Sequence, residues 1–84
     1  MTRCEVYLHL GLLEVVPKSG TQRGRIMDFI RGLRDNPDTP GDFTDRDATQ
    51  RIRQIKIIGD YAITYWKDSP VNIVMVVDIH YADR

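Results

Sequence analysis

Three segments rich in β-branched and aromatic residues, parted by two very short breaks, constrain this chain more than any other feature. Ile52, Ile55, Ile57 and Ile58, then residues 61–66, then residues 71–79 repeat with a period near two, as strands with one buried face do. The breaks, Gly59-Asp60 and residues 67–70, have room for hairpin turns but not for the dozen or more residues of a parallel crossover. A three-stranded antiparallel meander is therefore the economical topology.

A meander needs a cover for its apolar face, and the segment after Gly20 supplies one. Ile26, Phe29, Ile30 and Leu33 follow the i, i+3, i+4, i+7 spacing of one helical face. Ser19 with Gln22 three residues on resembles a capping box, and Arg31 and Arg34 place cations against the negative end of the helix dipole. Pro37 forces Asn36 toward extended geometry, so the helix should stop by about Asp35. Ahead of it, residues 5–10 favour a pleated backbone through Val6 and Tyr7 and predict an N-terminal strand. Gly11 breaks that strand, and residues 12–16 read as a helical turn or an extension closed by Pro17. The expected fold is α+β: an N-terminal strand, one or two helices, then a three-stranded antiparallel meander with the helix packed on one face of the sheet.

The chain has 84 residues, enough for one domain that buries only about 60% of the surface its unfolded form exposes. A permanent partner, an identical copy included, is a natural supplement to so thin a core. Cys4 stands alone, so neither an internal disulfide nor a multi-cysteine zinc site can staple the fold. With no His-Glu or Cys pair at ligand spacing and no phosphate-cradling glycine loop, neither a metal nor a cofactor is expected. The longest apolar run, residues 73–77, is far short of the roughly 20 residues a membrane span requires. The opening residues carry no apolar leader core, so a cytoplasmic setting is expected.

Twelve Lys plus Arg balance twelve Asp plus Glu, which argues against bulk attraction to nucleic acid, but the charges are segregated. Lys18, Arg23, Arg25, Arg31 and Arg34 precede an acidic stretch with Asp38, Asp42, Asp45 and Asp47, and Arg51, Arg53 and Lys56 follow. Pro37, Pro40 and Gly41 make the acidic stretch read as a solvated connector. A neutral chain of this kind can still present a local positive face.

Alternation sorts side chains between the two faces of the meander. Tyr61, Ile63 and Tyr65 share one side of the middle strand, and Ala62, Thr64 and Trp66 the other. In the last strand Ile73, Met75, Val77, Ile79 and Tyr81 alternate with Val74, Val76, Asp78 and His80. Placing Ile55 and Ile57 toward the helix leaves Lys56 outside, so the open face should gather Lys56, Thr64, Trp66, Asp78 and His80. A histidine with a carboxylate and a lysine is the kit for proton transfer beside a phosphate; such a group is more often the polar dressing of a half-exposed sheet, a surface pair and not a catalyst. Trp66 could stack on a nucleobase or anchor a protein interface. A single-stranded nucleic-acid binder thus stands beside an interaction domain and an enzyme.

The stretches QIKIIGDYAITY (residues 54–65) and VNIVMVVDIHY (residues 71–81), with RGLRDNP (residues 31–37) upstream, resemble the RelE/ParE superfamily of small bacterial toxins. The likeness lies in a basic strand, a strand with spaced tyrosines, a closing apolar strand and an Asn-Pro after the helix. The resemblance implies the toxin component of a type II toxin–antitoxin pair, neutralised by a cognate antitoxin wrapped over helix and sheet. RelE-like members cut messenger RNA on the ribosome, the 2′-hydroxyl attacking the adjacent phosphate. By that resemblance Lys56, His80 and Tyr81 are the catalytic candidates and Arg53 binds substrate; Trp66, from its place on the open face, and Arg84, as a substitute for the family's arginine, are further substrate-binding candidates. One position departs from the pattern: where the RNA-cleaving members carry arginine after the first tyrosine of the middle strand, this chain has Ala62. An alanine offers a phosphate no bidentate fork, so the resemblance leaves open an endoribonuclease, a ParE-like binder of DNA gyrase and an inactive relative that only forms a complex.

Overall fold

The computed structural model describes residues 4–82. Strand β1 (Glu5–Leu8) leads into a 3-10 helix (Leu10–Val15) and then the one α-helix among the described residues, α1 (Thr21–Gly32). Four strands follow, β2 (Phe43–Arg46), β3 (Ile52–Ile58), β4 (Tyr61–Asp68) and β5 (Ile73–Tyr81). They form one mixed five-stranded sheet in the order β1-β5-β4-β3-β2, antiparallel throughout except for the parallel β1–β5 pair. The α+β class and the antiparallel run through the last three strands are as the sequence predicts. Among the described residues no helix is long and apolar enough to cross a membrane.

The acidic stretch is not a free connector. Phe43–Arg46 pairs with β3, Asp45 opposite Arg53 and Thr44 opposite Gln54, so the meander has four strands. Charged residues suit an edge strand, and a short polar strand gives little periodic signal. The chain reaches this edge through Gly41, where a Cβ would stand 2.5 Å from the Ile55 carbonyl oxygen; only glycine allows so close a pass. Tyr65 reaches up from β4 and donates to the Thr39 carbonyl at 2.9 Å, tying residues 36–42 over the sheet.

The helix begins at Gly20, which caps it with no side-chain bond. The expected capping box does not form because Gln22 is used elsewhere: its side-chain oxygen accepts the Asp60 N–H at 3.1 Å in the β3–β4 turn. The strand expected over residues 5–10 ends at Leu8, since His9 caps the 3-10 helix by accepting the Gly11 N–H on Nδ1. The last strand starts at Ile73 because Pro70 lies in a short helical turn closed by left-handed Asn72.

Ile26 and Ile30 of α1 and Leu33 just past its end meet Tyr61, Ile63 and Tyr65 of β4 and Val74, Val76 and Ile79 of β5, with Ile63 fully buried. Phe29 packs edge-on against Tyr65, ring centroids 5.5 Å apart. In β5, Thr64 pairs with Asp78 but Tyr65 pairs with Val76, so Val77 is an extra, bulged residue. The bulge resets the alternation, and Val74, Val76, Ile79 and Tyr81 share the helix side, not the unbroken set from Ile73 to Tyr81.

Burial pushes the Tyr65 hydroxyl up to about 12 from its ordinary value of 10.0. The unfolded chain then loses this proton at lower pH than the folded one, so stability falls as pH rises from about 10 to about 12. Tyr65→Phe should cost about 1 kcal/mol near neutrality, through the lost bond to Thr39, and should flatten part of the alkaline decline. Urea titrations at pH 7, 10 and 11.5 would check both; equal slopes in the two proteins would refute the assignment.

Candidate functional site

The α1-free face of the sheet carries the chemistry-bearing side chains, and the strand pairing fixes who neighbours whom. Two full rows run across it, Phe43, Ile55, Thr64 and Asp78, then Ile57, Ala62 and His80, and beyond them Asp45 pairs with Arg53 and Trp66 with Met75. Ala62 and Thr64 are buried on this face. They form a shallow floor with His80 at one end and Trp66 at the other.

His80 Nδ1 and Asp78 Oδ2 are 2.6 Å apart. An ionised carboxylate only accepts, so Nδ1 donates and Nε2 is left as the ring's acceptor. Histidine held in this way can take a proton from a hydroxyl over the Ala62–Thr64 floor.

At the other end Arg53 forms a two-bond fork with Asp45, Nε to Oδ1 at 2.8 Å and Nη2 to Oδ2 at 2.7 Å. Those bonds hold the Asp45 carboxyl below the ordinary carboxylate range and raise the Arg53 guanidinium further, with Asp78 adding a smaller contribution. The Arg51 guanidinium lies 3.8 Å above the centre of the Trp66 ring, a cation–π contact that covers the indole face. Arg51 is in turn held by Asp47, which also accepts from the Thr49 N–H and hydroxyl.

Of the residues expected on this face, Thr64, Trp66, Asp78 and His80 are here, and Arg53 lies one residue past the last β3–β4 pair, Gln54 with Tyr65. Lys56 is not. It pairs with Ile63 and therefore points to the helix side, where it meets Asp42 at 3.6 Å; Ile55 and Ile57 take the open face in its place. Tyr81 is also on the helix side, stacked on Tyr61 with ring centroids 4.8 Å apart, so it cannot share a substrate with His80. Arg84 lies outside the described residues. Cys4 is buried and donates its thiol to the Asn72 carbonyl at 3.0 Å. Among the described residues no group of three His, Cys, Asp or Glu could hold a metal ion.

Arg51 and Asp45 join the site without having been singled out from the sequence. Counting outward from a two-residue turn at Gly59-Asp60 places Arg53 opposite Trp66, and Arg51 two residues on along the same face. That count is the signal that finds them.

Hydrogen bonds from Thr49 hold the Asp47 carboxyl down at about 2, below its ordinary 3.8. The turn it organises is stabilised above pH 3.8 and loosens as pH falls toward 2, because protonation of Asp47 removes the acceptor. Arg51 then leaves the Trp66 ring, and tryptophan emission should shift to the red between pH 4 and 2, a change that Asp47→Asn produces at neutral pH. An emission maximum unmoved in both experiments would contradict the arrangement. Comparison of the chain with protein-family models, with curated proteins and with solved structures finds no match.

Proposed function

We propose that the chain is the toxin-like component of a type II toxin–antitoxin pair of the RelE/ParE kind, acting in the cytoplasm and restrained by a cognate antitoxin. The observation that carries the reading is the one-sided cover of the sheet. The order strand, helix, antiparallel meander agrees with that resemblance, and α1 occupies one face while the other keeps Thr64, Trp66, Asp78 and His80 together.

Two modes of action follow. In the first, His80 is the base of a ribosome-dependent messenger RNA cleavage, Nε2 taking the 2′-hydroxyl proton while Asp78 holds the ring. In the second, the open face binds a protein target such as DNA gyrase, with Trp66 as anchor. Specific observations favour the second mode. Lys56 and Tyr81 face away from His80, Ala62 stands beside His80 where the cleaving members carry arginine, and Arg53 is already engaged by Asp45.

Induced expression in a bacterial host, following growth and messenger RNA together, tests the reading. Growth arrest is expected, and Trp66→Ala should relieve it, since both modes use that face. Arrest with intact messages establishes a protein target. Arrest with cleaved messages that His80→Ala slows by about a hundredfold establishes the nuclease, and Ala62→Arg should then speed cleavage by about tenfold. Normal growth of cells holding soluble, folded protein would overturn the proposal.

A further inference from the structure

Strand β1 lies at the outer end of the sheet, with β5 as its neighbour on the inner side. Its sequence, EVYL, carries a single charge, Glu5 at its start, where β2 at the opposite edge carries both Asp45 and Arg46. The Glu5 N–H donates inward to the Asn72 carbonyl at 3.2 Å. In a parallel ladder alternate residues bond to opposite sides, so Val6 and Leu8 turn both N–H and C=O to the outer edge. Exposed apolar side chains gather here too: Tyr7 is 50% exposed and Leu10, just beyond the strand, 77%. An apolar hollow of about 480 Å³ runs beside the edge on the helix side, lined by Val6, Leu8 and Ile30 with Arg31, Arg34 and Asp35 at its rim.

We propose that β1 is a self-pairing edge, through which two copies of this chain join antiparallel about a two-fold axis at Tyr7 into one continuous ten-stranded sheet. Strand parity narrows the register to axes at single residues, and the side-chain pairs then select Tyr7. Directly opposed residues must lie on the same face of the joined sheet, so Val6 opposes Leu8 of the second copy and Tyr7 opposes Tyr7. Residues that bond outward must oppose one another, and Val6 with Leu8 do so twice, giving four inter-chain hydrogen bonds. Charges must complement, and the same register sets Glu5 against His9 of the second copy, also twice. His9 Nδ1 accepts the Gly11 N–H at 3.1 Å, so neutral His9 carries its proton on Nε2 and donates to the Glu5 carboxylate without gaining charge. Shifting the axis to Val6 or Leu8 loses the Glu5–His9 pairs. A contact of this size belongs to the weak, concentration-dependent class below about 1,200 Å². It uses none of the open-face residues of the candidate site and does not depend on the toxin reading.

Sedimentation equilibrium of the full chain from about 10 to about 500 µM tests it by mass action. Wild type should pass from monomer toward dimer across that range. His9→Glu keeps an acceptor for the Gly11 N–H but sets Glu5 against a carboxylate twice, and should raise the dimer Kd at least about tenfold. The charge swap Glu5→Lys with His9→Glu should return Kd to within about threefold of wild type. Far-UV circular dichroism checks folding; should His9→Glu fail to fold, Tyr7→Lys, at a half-exposed position on the axis, replaces it with the same expected loss. A wild type that stays monomeric at about 500 µM would overturn the proposal and leave the edge to a foreign strand. So would a dimer that His9→Glu leaves unchanged, or a charge swap that regains nothing.

Discussion

The two-residue turn at Gly59 and Asp60 sets the pairing of β3 with β4, and that pairing decides which side chains share a face. Gly59 sits at φ 58, the left-handed conformation a tight hairpin needs and glycine adopts without strain. Ile58 then faces Tyr61, Lys56 faces Ile63 and Gln54 faces Tyr65. The Gln22 side chain fastens the start of α1 to this turn through the Asp60 N–H, so the helix is placed over the same register. A slip of one residue would exchange the two faces of β3 and turn Lys56 and Gln54 outward.

That register puts a lysine on the face where the helix packs, and the chain accommodates it at the margin. Lys56 lies under residues 36–42, where Asp42 pairs with its ammonium group and also accepts the Ile57 N–H at 2.8 Å. Gln54, beside it on that face, takes the Gly41 N–H at 2.9 Å. The polar residues of β3 thus hold the crossing segment that leads into β2, which explains why a stretch of aspartates and prolines packs down instead of floating. The apolar residues displaced to the open face, Ile55 and Ile57, pair there with Thr64 and Ala62.

Much of this was legible in the sequence. The helix was visible in Ile26, Phe29, Ile30 and Leu33 because burial against a sheet demands that spacing. The strands were visible in their period, and the grouping of Thr64, Trp66, Asp78 and His80 followed from it. What could not be read from alternation alone was where the alternation is interrupted. The bulge at Val77 inserts one residue between two apolar runs, and nothing in a string of valines marks which one is extra. It preserves the grouping of Asp78 with Trp66 while transferring Met75 to their side. The place of Lys56 has a different origin: the apolar parity of β3 favours Ile55 and Ile57 toward the helix, and the register that the tight turn imposes turns Lys56 there instead. The short strand β2 has no period to detect, and its existence depends on an edge of β3 left open by everything else.

The charges of the open face narrow what it can bind. Arg53 already spends two charge-assisted bonds on Asp45, and Arg51 lies between Asp47 and the Trp66 ring. A phosphate ligand would have to draw these cations from carboxylates that are strong acceptors and that stay in place to repel it. A protein partner faces no such exchange: it can lay an apolar or hydrogen-bonding surface over Ile55 and the part of Trp66 that Arg51 leaves open, with both pairs intact at its rim, where screened charges cost little. The His80–Asp78 pair at the far end suits either use, as a proton acceptor or as an oriented hydrogen-bonding group. The electrostatic cost of anion binding therefore separates the two modes more sharply than the presence of histidine does, and it weighs toward recognition of a protein surface.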